Sequence, residues 1–416
     1  MSTVATSRAR VWSARPQVSA RFAIWASVLG SRLLVIAGAA AGALLAPSRY
    51  DSVTFDPAGV SRHLGSVGAV LAASTDRWDA VHYLSIAQHG YTTPVSAAFF
   101  PLYPLLIRLA AVITGSYVIA GVLISFIAFA IALELLYRLT DEELDGQVAR
   151  GVVLLLAFAP LSLFFSAIYT ESLFLALSVG VLYLTRHDRL VSASLAAAAA
   201  SLTHIEGVLL LVPLAVCWWE RQDRSRSLGA LIRWRATPLT LPLLALSGLC
   251  LYMHANGFGW LAPISNEANP AWHHQLVGPV VGVAIAIKAG VLGLWQTLQG
   301  VPPIPRASSY ALSHPFQNLV YLVLLAICVA ALFQAWRRLP KVYAVYSGLY
   351  LAVLTSSPIP GRSLVSFDRY ALVLFPLWIA AAAWLRERRL LRPVIQIGAV
   401  LLLCYSFQVG RWLFVA

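Results

Sequence analysis

The densest run of reactive side chains in the 416-residue sequence is Asp76-Arg77-Trp78-Asp79-Ala80-Val81-His82-Tyr83. On a helix, Asp79, His82 and Tyr83 stand at i, i+3 and i+4 and share one face, with Asp76 one turn earlier on the same stripe. A carboxylate beside an imidazole suits activation of a hydroxyl: the carboxylate takes the proton and the imidazole orients the substrate or meets an anion. The blander reading of the same spacing is a surface helix capped by Asp76 or Asp79, with His82 in solvent. Two more polar clusters, Tyr169-Thr170-Glu171-Ser172 and Thr203-His204-Ile205-Glu206-Gly207, interrupt apolar runs. A charge at the centre of a membrane helix costs about 2.5–3.5 kcal/mol on insertion scales, so such residues pair or line a wet cavity. Tyr83, Tyr169, Glu171 and Glu206 are accordingly assigned to a substrate cavity.

Arg362 and Arg369 carry the planar fork that grips phosphate, and with His82 they are the candidates for an anionic leaving group. Arg32, inside the first apolar run, is expected to pair with a helix-break carboxylate. His273-His274 has no third ligand at a recognisable spacing, so no metal site is assigned, although Asp76 could act as a second carboxylate or divalent-cation partner. Trp260, Trp272 and Tyr310 read as interface-belt aromatics.

The elements that must position these groups are membrane helices. The chain is 59% apolar and 11% charged, against roughly 25% charged for a soluble domain. Its mean hydropathy is +0.76, and apolar runs near the length needed to cross the hydrocarbon recur throughout. They do not alternate as barrel strands would. The net charge of +13 does not indicate nucleic acid. Of 30 basic residues 28 are arginine, and 20 fall in six short segments between apolar runs: 8–21, 138–150, 186–189, 221–235, 337–341 and 386–392. That is the positive-inside pattern, and it favours anionic lipid at the cytoplasmic face. It predicts eleven spans, over 22–46, 117–137, 151–167, 172–185, 190–203, 205–219, 237–255, 316–336, 342–357, 370–385 and 393–412. Residues 1–21 form a cytoplasmic tail and 47–98 a first outer loop; 99–114 and 280–298, each with a mid-segment cation, read as helices in the outer interface. One membrane domain over 1–416 is the economical organisation. The four cysteines (Cys217, Cys250, Cys328, Cys404) lie inside apolar runs and say nothing of compartment. The arginine and alanine bias points to a GC-rich, bacterial source and hence a plasma membrane.

The stretch Trp78–Tyr91, followed by Ala98-Phe99-Phe100-Pro101-Leu102-Tyr103-Pro104-Leu105, resembles the signature of the PIG-V family. Phe164–Phe174 after Pro160 resembles its second motif, and Phe367-Asp368-Arg369-Tyr370 with Leu374-Phe375-Pro376-Leu377 its C-terminal one. One departure stands out: Leu202-Thr203 is followed by His204-Ile205-Glu206-Gly207, where a polar residue and Asn-Gly would be expected. The resemblance implies an all-α, GT-C-like polytopic fold and a polyprenyl-phosphate mannose donor. It also implies Asp79 as the general base for inverting transfer to a lipid or glycan acceptor outside the membrane. The rival class is a lipid or lipid-linked sugar flippase, which would favour paired broken spans in corresponding halves. The breaks near 169 and 204 are adjacent instead, and both lie in the first half.

Overall fold

An apolar run in hydrocarbon must close its backbone hydrogen bonds internally, and here the runs do so as helices. A computed structural model describes residues 18–45, 65–221, 234–265, 274–305 and 309–416. The predicted tail to residue 17, the loop residues 47–64, the basic residues of 222–233, Trp272 and His273 lie outside that description. Among the described residues the only extended pairings are isolated bridges, Tyr310–Phe414 and Ile359–Arg362. Six helices are long and apolar enough to cross a membrane: Ile24–Leu45, Tyr117–Glu143, Arg235–Ala255, Pro279–Leu298, His314–Arg338 and Leu391–Gly410. Shorter apolar helices, including Gly146–Ala157 and Leu190–Ser201, complete an all-α polytopic integral membrane protein.

Two predicted spans are divided. Gly146–Ala157 gives way to a 3-10 turn at Ser162–Phe165, and Phe367–Ala371 is separate from Phe375–Glu387. Pro160 and Pro376 fall at these divisions, and Pro376 sits in the first turn of its helix, where no backbone donor is needed. Arg32 holds the first division together. Its guanidinium donates to the carbonyl of Ser162 at 2.8 Å and to the hydroxyls of Ser162 and Ser166 at 2.6 and 2.9 Å, while lying over the Phe129 ring. The expected carboxylate partner is therefore replaced by backbone and hydroxyl oxygens left open where the helix stops.

The ends of the chain close against each other. The first helix, Val18–Leu45, packs on the last, Leu391–Gly410, so tightly that a Cβ on Gly42 would stand 2.0 Å from the Phe407 carbonyl oxygen. Among membrane helices, where water gives no apolar driving force, such close backbone approach supplies the association.

Ion pairs gather the basic helix ends at one side of the bundle: Arg186–Glu143, Arg386–Asp145, Arg338–Glu387 and Arg221–Asp188. Helix Glu171–Arg186 finishes there, and helix Lys341–Thr355 begins there, its Tyr343 hydroxyl donating to Glu143 at 2.7 Å. The other ends of both helices supply Glu171, Val353 and Leu354 to a cavity. Sixteen helical residues rise about 24 Å, so the cavity and the arginine-rich end are separated by most of a hydrocarbon thickness.

Helix Pro279–Leu298, expected in the interface, has the length and composition of a span. Its contacts nevertheless hold it at the cavity end. Gly282 packs on the Thr355 carbonyl and Gly293 on that of Pro315, and the preceding Val277 N–H donates to Ser356 at 2.9 Å.

Candidate active site

Asp79 opens the helix Asp79–His89, and the chain reaches it through a sharp reversal: Trp78 adopts φ 58° and ψ −118°. A bulky residue in that region is strained, and such strain persists only where surroundings over-determine it. Tyr169, from the first helix break, provides much of that constraint. Its hydroxyl donates to the carbonyl of Arg77 and accepts from the N–H of Asp79, both at 3.1 Å. The Ile168 N–H bonds the Thr75 carbonyl at 2.8 Å, tying the same break to the same loop. The reversal also overturns one expectation. Asp76 belongs to the turn before the helix, off the stripe of Asp79, and its neighbour in charge is Arg77 at 4.0 Å.

Arg369 is delivered by a similar device. Ser366, at φ 60° and ψ 11°, precedes the short helix Phe367–Ala371 and turns its first residues inward. The buried Arg369 guanidinium then donates from Nη1 to Asp79 Oδ2 at 2.6 Å and from Nη2 to the Tyr370 hydroxyl at 2.9 Å. Its Nε faces Glu171 Oε1 at 3.0 Å. The rings of Phe164, Tyr169 and Tyr370 surround it. Three segments far apart in sequence therefore meet in one carboxylate–guanidinium–carboxylate unit. Arg369, expected at a phosphate, here has its fork on Asp79 and the Tyr370 hydroxyl, with Glu171 facing its Nε.

This unit lies on the wall of a cavity of about 590 Å³, within the usual range of small-molecule sites. Of the residues assigned to the site from the sequence, the cavity is lined by Asp79, His82, Tyr83, Glu171, Glu206, Arg362 and Arg369. Asp76 is not among its lining residues, nor is Tyr169, which is buried beneath Asp79 as a support. Asp79 is the most open member of the ion-paired unit, its side chain 19% exposed against 6% for Arg369 and 2% for Glu171. Burial pushes the His82 imidazole below its ordinary range, only partly offset by Asp79, and its ring stacks on Phe99 at 4.7 Å. At neutral pH it is a neutral hydrogen-bonding ring rather than a standing cation.

The two ends of the cavity differ. At one, the Arg362 guanidinium lies 4.1 Å over the Tyr310 ring and donates to Gln317 Oε1 at 2.8 Å, while its Nε is buried without a hydrogen-bond partner. Phe414 closes this end, edge-on to both Tyr310 and Trp78 and hydrogen-bonded through its backbone to Ser309 and Ala311. At the other end His204 Nε2 meets the Thr170 hydroxyl at 2.6 Å and its Nδ1 faces Glu206 at 3.4 Å. Asp79 stands between, next in sequence to Trp78 on one side and joined through Arg369 to Tyr370, a neighbour of His204, on the other.

Sequence reasoning missed Thr170, His204, Trp78 and Phe414 as cavity residues and placed Tyr310 in an interface belt. The two polar breaks, one carrying Thr170 and the other His204, were usable signals. Nothing in the sequence indicated that residues 309–311 and 414 would pair. His274 also lines the cavity, its Nδ1 2.8 Å from the Ser357 carbonyl oxygen, in a structural rather than ligating pose. Among the described residues no three His, Cys, Asp or Glu side chains converge as a metal site.

A family model described as Mannosyltransferase (PIG-V) matches residues 34–252, just over half of the chain. The chain belongs to that family. The matched region holds Asp79, Glu171 and Glu206, while Arg362 and Arg369 lie beyond it. Among curated relatives, GPI mannosyltransferase 2 of Drosophila pseudoobscura pseudoobscura is 31% identical over 108 residues, 23% of this chain and 24% of that one. The protein of the same name from Schizosaccharomyces pombe is 33% identical over 106 residues, 24% of this chain and 23% of that one. That of Chaetomium globosum is 32% identical over 184 residues, 38% and 37% of the two chains. In each case the match spans well under half of the relative. Among solved structures, the apo oligosaccharyltransferase of Archaeoglobus fulgidus aligns with 94% of this chain and 56% of its own, at 12% identity and a TM-score of 0.46. That overlap of helical scaffolds is too loose to assign any residue.

Proposed function

We propose that this protein transfers a mannosyl, or related hexosyl, residue from a polyprenyl-phosphate sugar to a hydroxyl of a lipid or glycan acceptor, with inversion, at the outer face of the membrane. The observation that carries the reading is the place of Asp79: a part-exposed carboxylate in a cavity with a half-buried cation, Arg362, at one end and hydroxyl-binding groups at the other. The donor's prenyl tail stays in the bilayer and its phosphate lies at the Arg362 end. Asp79 Oδ2 is held by Arg369, which leaves Oδ1 for the incoming hydroxyl. The acceptor oxygen forms its bond to the anomeric carbon as its proton passes to Asp79. The bond from that carbon to the phosphate oxygen breaks with its electron pair, and polyprenyl phosphate departs toward Arg362. Arg369 acts as a positioning residue, since it touches the base and not the phosphate. Holding donor, acceptor and base in one cavity supplies much of the rate through proximity. The distance of the cavity from the arginine-rich ends supports an outward-facing site, because that bias marks the cytoplasmic side. The bacterial plasma membrane remains the setting the composition favours.

The test is transfer from labelled polyprenyl-phosphate mannose to a lipid extract by purified protein. Asp79→Asn keeps shape and polarity but removes the proton acceptor, so transfer falls by at least about 10²-fold with donor binding unchanged. Asp76→Asn, which alters a carboxylate off the cavity wall, retains most of the activity. Near-normal transfer by Asp79→Asn would remove the general-base mechanism and make a flippase assay the next step.

A further inference from the structure

We infer that the turn between helices Phe375–Glu387 and Leu391–Gly410 binds the anionic headgroup of a phospholipid, with Arg388, Arg389 and Arg392 as the phosphate-binding side chains. The site lies at the arginine-rich end of the bundle, remote from the cavity, and does not depend on the transferase reading. The run Arg386-Glu387-Arg388-Arg389-Leu390-Leu391-Arg392 begins with matched charges: Arg386 holds Asp145 at 2.9 Å, and both terminal nitrogens of Arg338 donate to Glu387. Arg388, Arg389 and Arg392 are exposed, and among the described residues no carboxylate lies within ion-pair distance of them.

The chain makes the same turn twice at this end of the bundle, and the comparison shows what is missing. Each turn has one left-handed residue, followed by an N–H that bonds back five positions: Arg189 to the Leu184 carbonyl at 3.0 Å, and Leu390 to that of Leu385 at 2.8 Å. Glycine takes the left-handed position without steric cost, yet Asp188 (φ 58°) and Arg389 (φ 60°) stand there. Asp188 meets its counter-charge in Arg221. Arg389 meets none among the described residues. A charge kept where glycine would fit better is left for a ligand, and phosphate is the anion that a guanidinium fork matches.

The surroundings point to a lipid as the source of that phosphate. The Arg388 guanidinium lies 4.2 Å over the Trp384 ring, and tryptophan concentrates at the headgroup level of a bilayer. Below the turn, Leu390, Val394, Ile397 and Leu401 follow one another at i, i+4, i+7 and i+11, all exposed, as a stripe along one side of the helix. Cations above an apolar stripe match the phosphate and acyl chain of one molecule; a soluble polyanion would leave the stripe unused. Three guanidinium groups exceed the charge of one phosphodiester, which favours a lipid with two phosphates. On the orientation proposed above, that lipid belongs to the cytoplasmic leaflet, where basic clusters bind anionic headgroups.

The probe is tetraoleoyl cardiolipin, titrated onto the detergent-purified full chain and counted by native mass spectrometry. A basic residue at the surface is worth about fivefold in affinity for anionic lipid, so Arg389→Gly should weaken binding about fivefold, and Arg388→Gln, Arg389→Gln and Arg392→Gln together about 10²-fold. Arg389→Gly also relieves the left-handed turn, so its Tm in lipid-free detergent should equal or exceed that of wild type. A lowered Tm beside the weakened binding would assign Arg389 to the turn's structure and overturn its role as a ligand. Arg189→Gln removes an exposed arginine from the matching turn and should leave cardiolipin affinity nearly unchanged; an equal loss there would reduce the site to diffuse positive charge. Wild-type binding of dioleoylphosphatidylcholine as tight as that of cardiolipin would also overturn the assignment. So would displacement of cardiolipin by an equal concentration of inorganic pyrophosphate, which would give the patch to a soluble anion.

Discussion

Arg369 illustrates how far a residue's role depends on its neighbours. Its type suits phosphate, yet it donates to Asp79 and Tyr370 and is ion-paired with Glu171 in a buried, aromatic-walled site. Arg369→Ala would leave two carboxylates facing each other, and breaking a buried pair by removing one partner typically costs about 3–5 kcal/mol. The variant should show a strongly lowered Tm in detergent, while Arg369→Lys, with its charge but without the fork, should fold and lose transfer. Equal transfer by Lys and Arg would show that charge alone positions the base. The adjacent Asp368 makes a pH prediction. Burial pushes its carboxyl up to about 7, despite the opposing pull of the Arg369 N–H and the nearby guanidinium groups. The folded protein therefore holds a proton that the unfolded chain has released, between an unfolded value of about 4 and the folded value. This group's contribution to stability is present below pH 4 and is lost as pH rises through 7. Asp368→Asn should raise Tm relative to wild type at pH 8 and leave it unchanged near pH 4; a difference independent of pH would assign the effect to shape.

At the scale of elements, the helix breaks matter more than the helices. Backbone freed at membrane depth must be satisfied by protein or water, and Arg32 does this for the break after Ala157. Arg32→Leu preserves bulk in an apolar setting but strips the Ser162 carbonyl of a donor. A loss on the order of 3 kcal/mol follows from leaving several buried acceptors open, measurable as a lowered Tm. Because the same break carries Tyr169, Thr170 and Glu171, transfer should fall with stability in this variant; a fall in Tm with full activity would show that the break holds its form without Arg32.

For the whole molecule, the decisive feature is polarity: ion-paired basic ends at one side and the cavity at the other. If the arginine bias sets orientation, a cysteine at His89 reacts with an impermeant thiol reagent from outside, and one at Asp188 reacts only after permeabilisation. Both positions are exposed, and the background would lack the four native cysteines. Labelling of position 188 in sealed cells would reverse the orientation and place the cavity in the cytoplasm.

Helix content and the positions of most helices were legible in the sequence, because hydrocarbon leaves a long apolar run no other way to satisfy its backbone. The breaks near 169 and 204 were legible too, since their polar residues interrupt otherwise continuous apolar runs. So was the shared face of Asp79, His82 and Tyr83, which all line the cavity. Partnership was not. That Asp79 meets Arg369 across 290 positions, and that Tyr169 supports from below while Thr170 faces the cavity, depend on how helices pack and on left-handed turns at Trp78 and Ser366. No periodicity encodes such a turn at Trp or Ser, and it alone moved Asp76 off the stripe. Local pattern determines which residues can ionise or bond. Only the tertiary structure decides which of them meet, because a guanidinium satisfies whatever carboxylate the packing brings within reach.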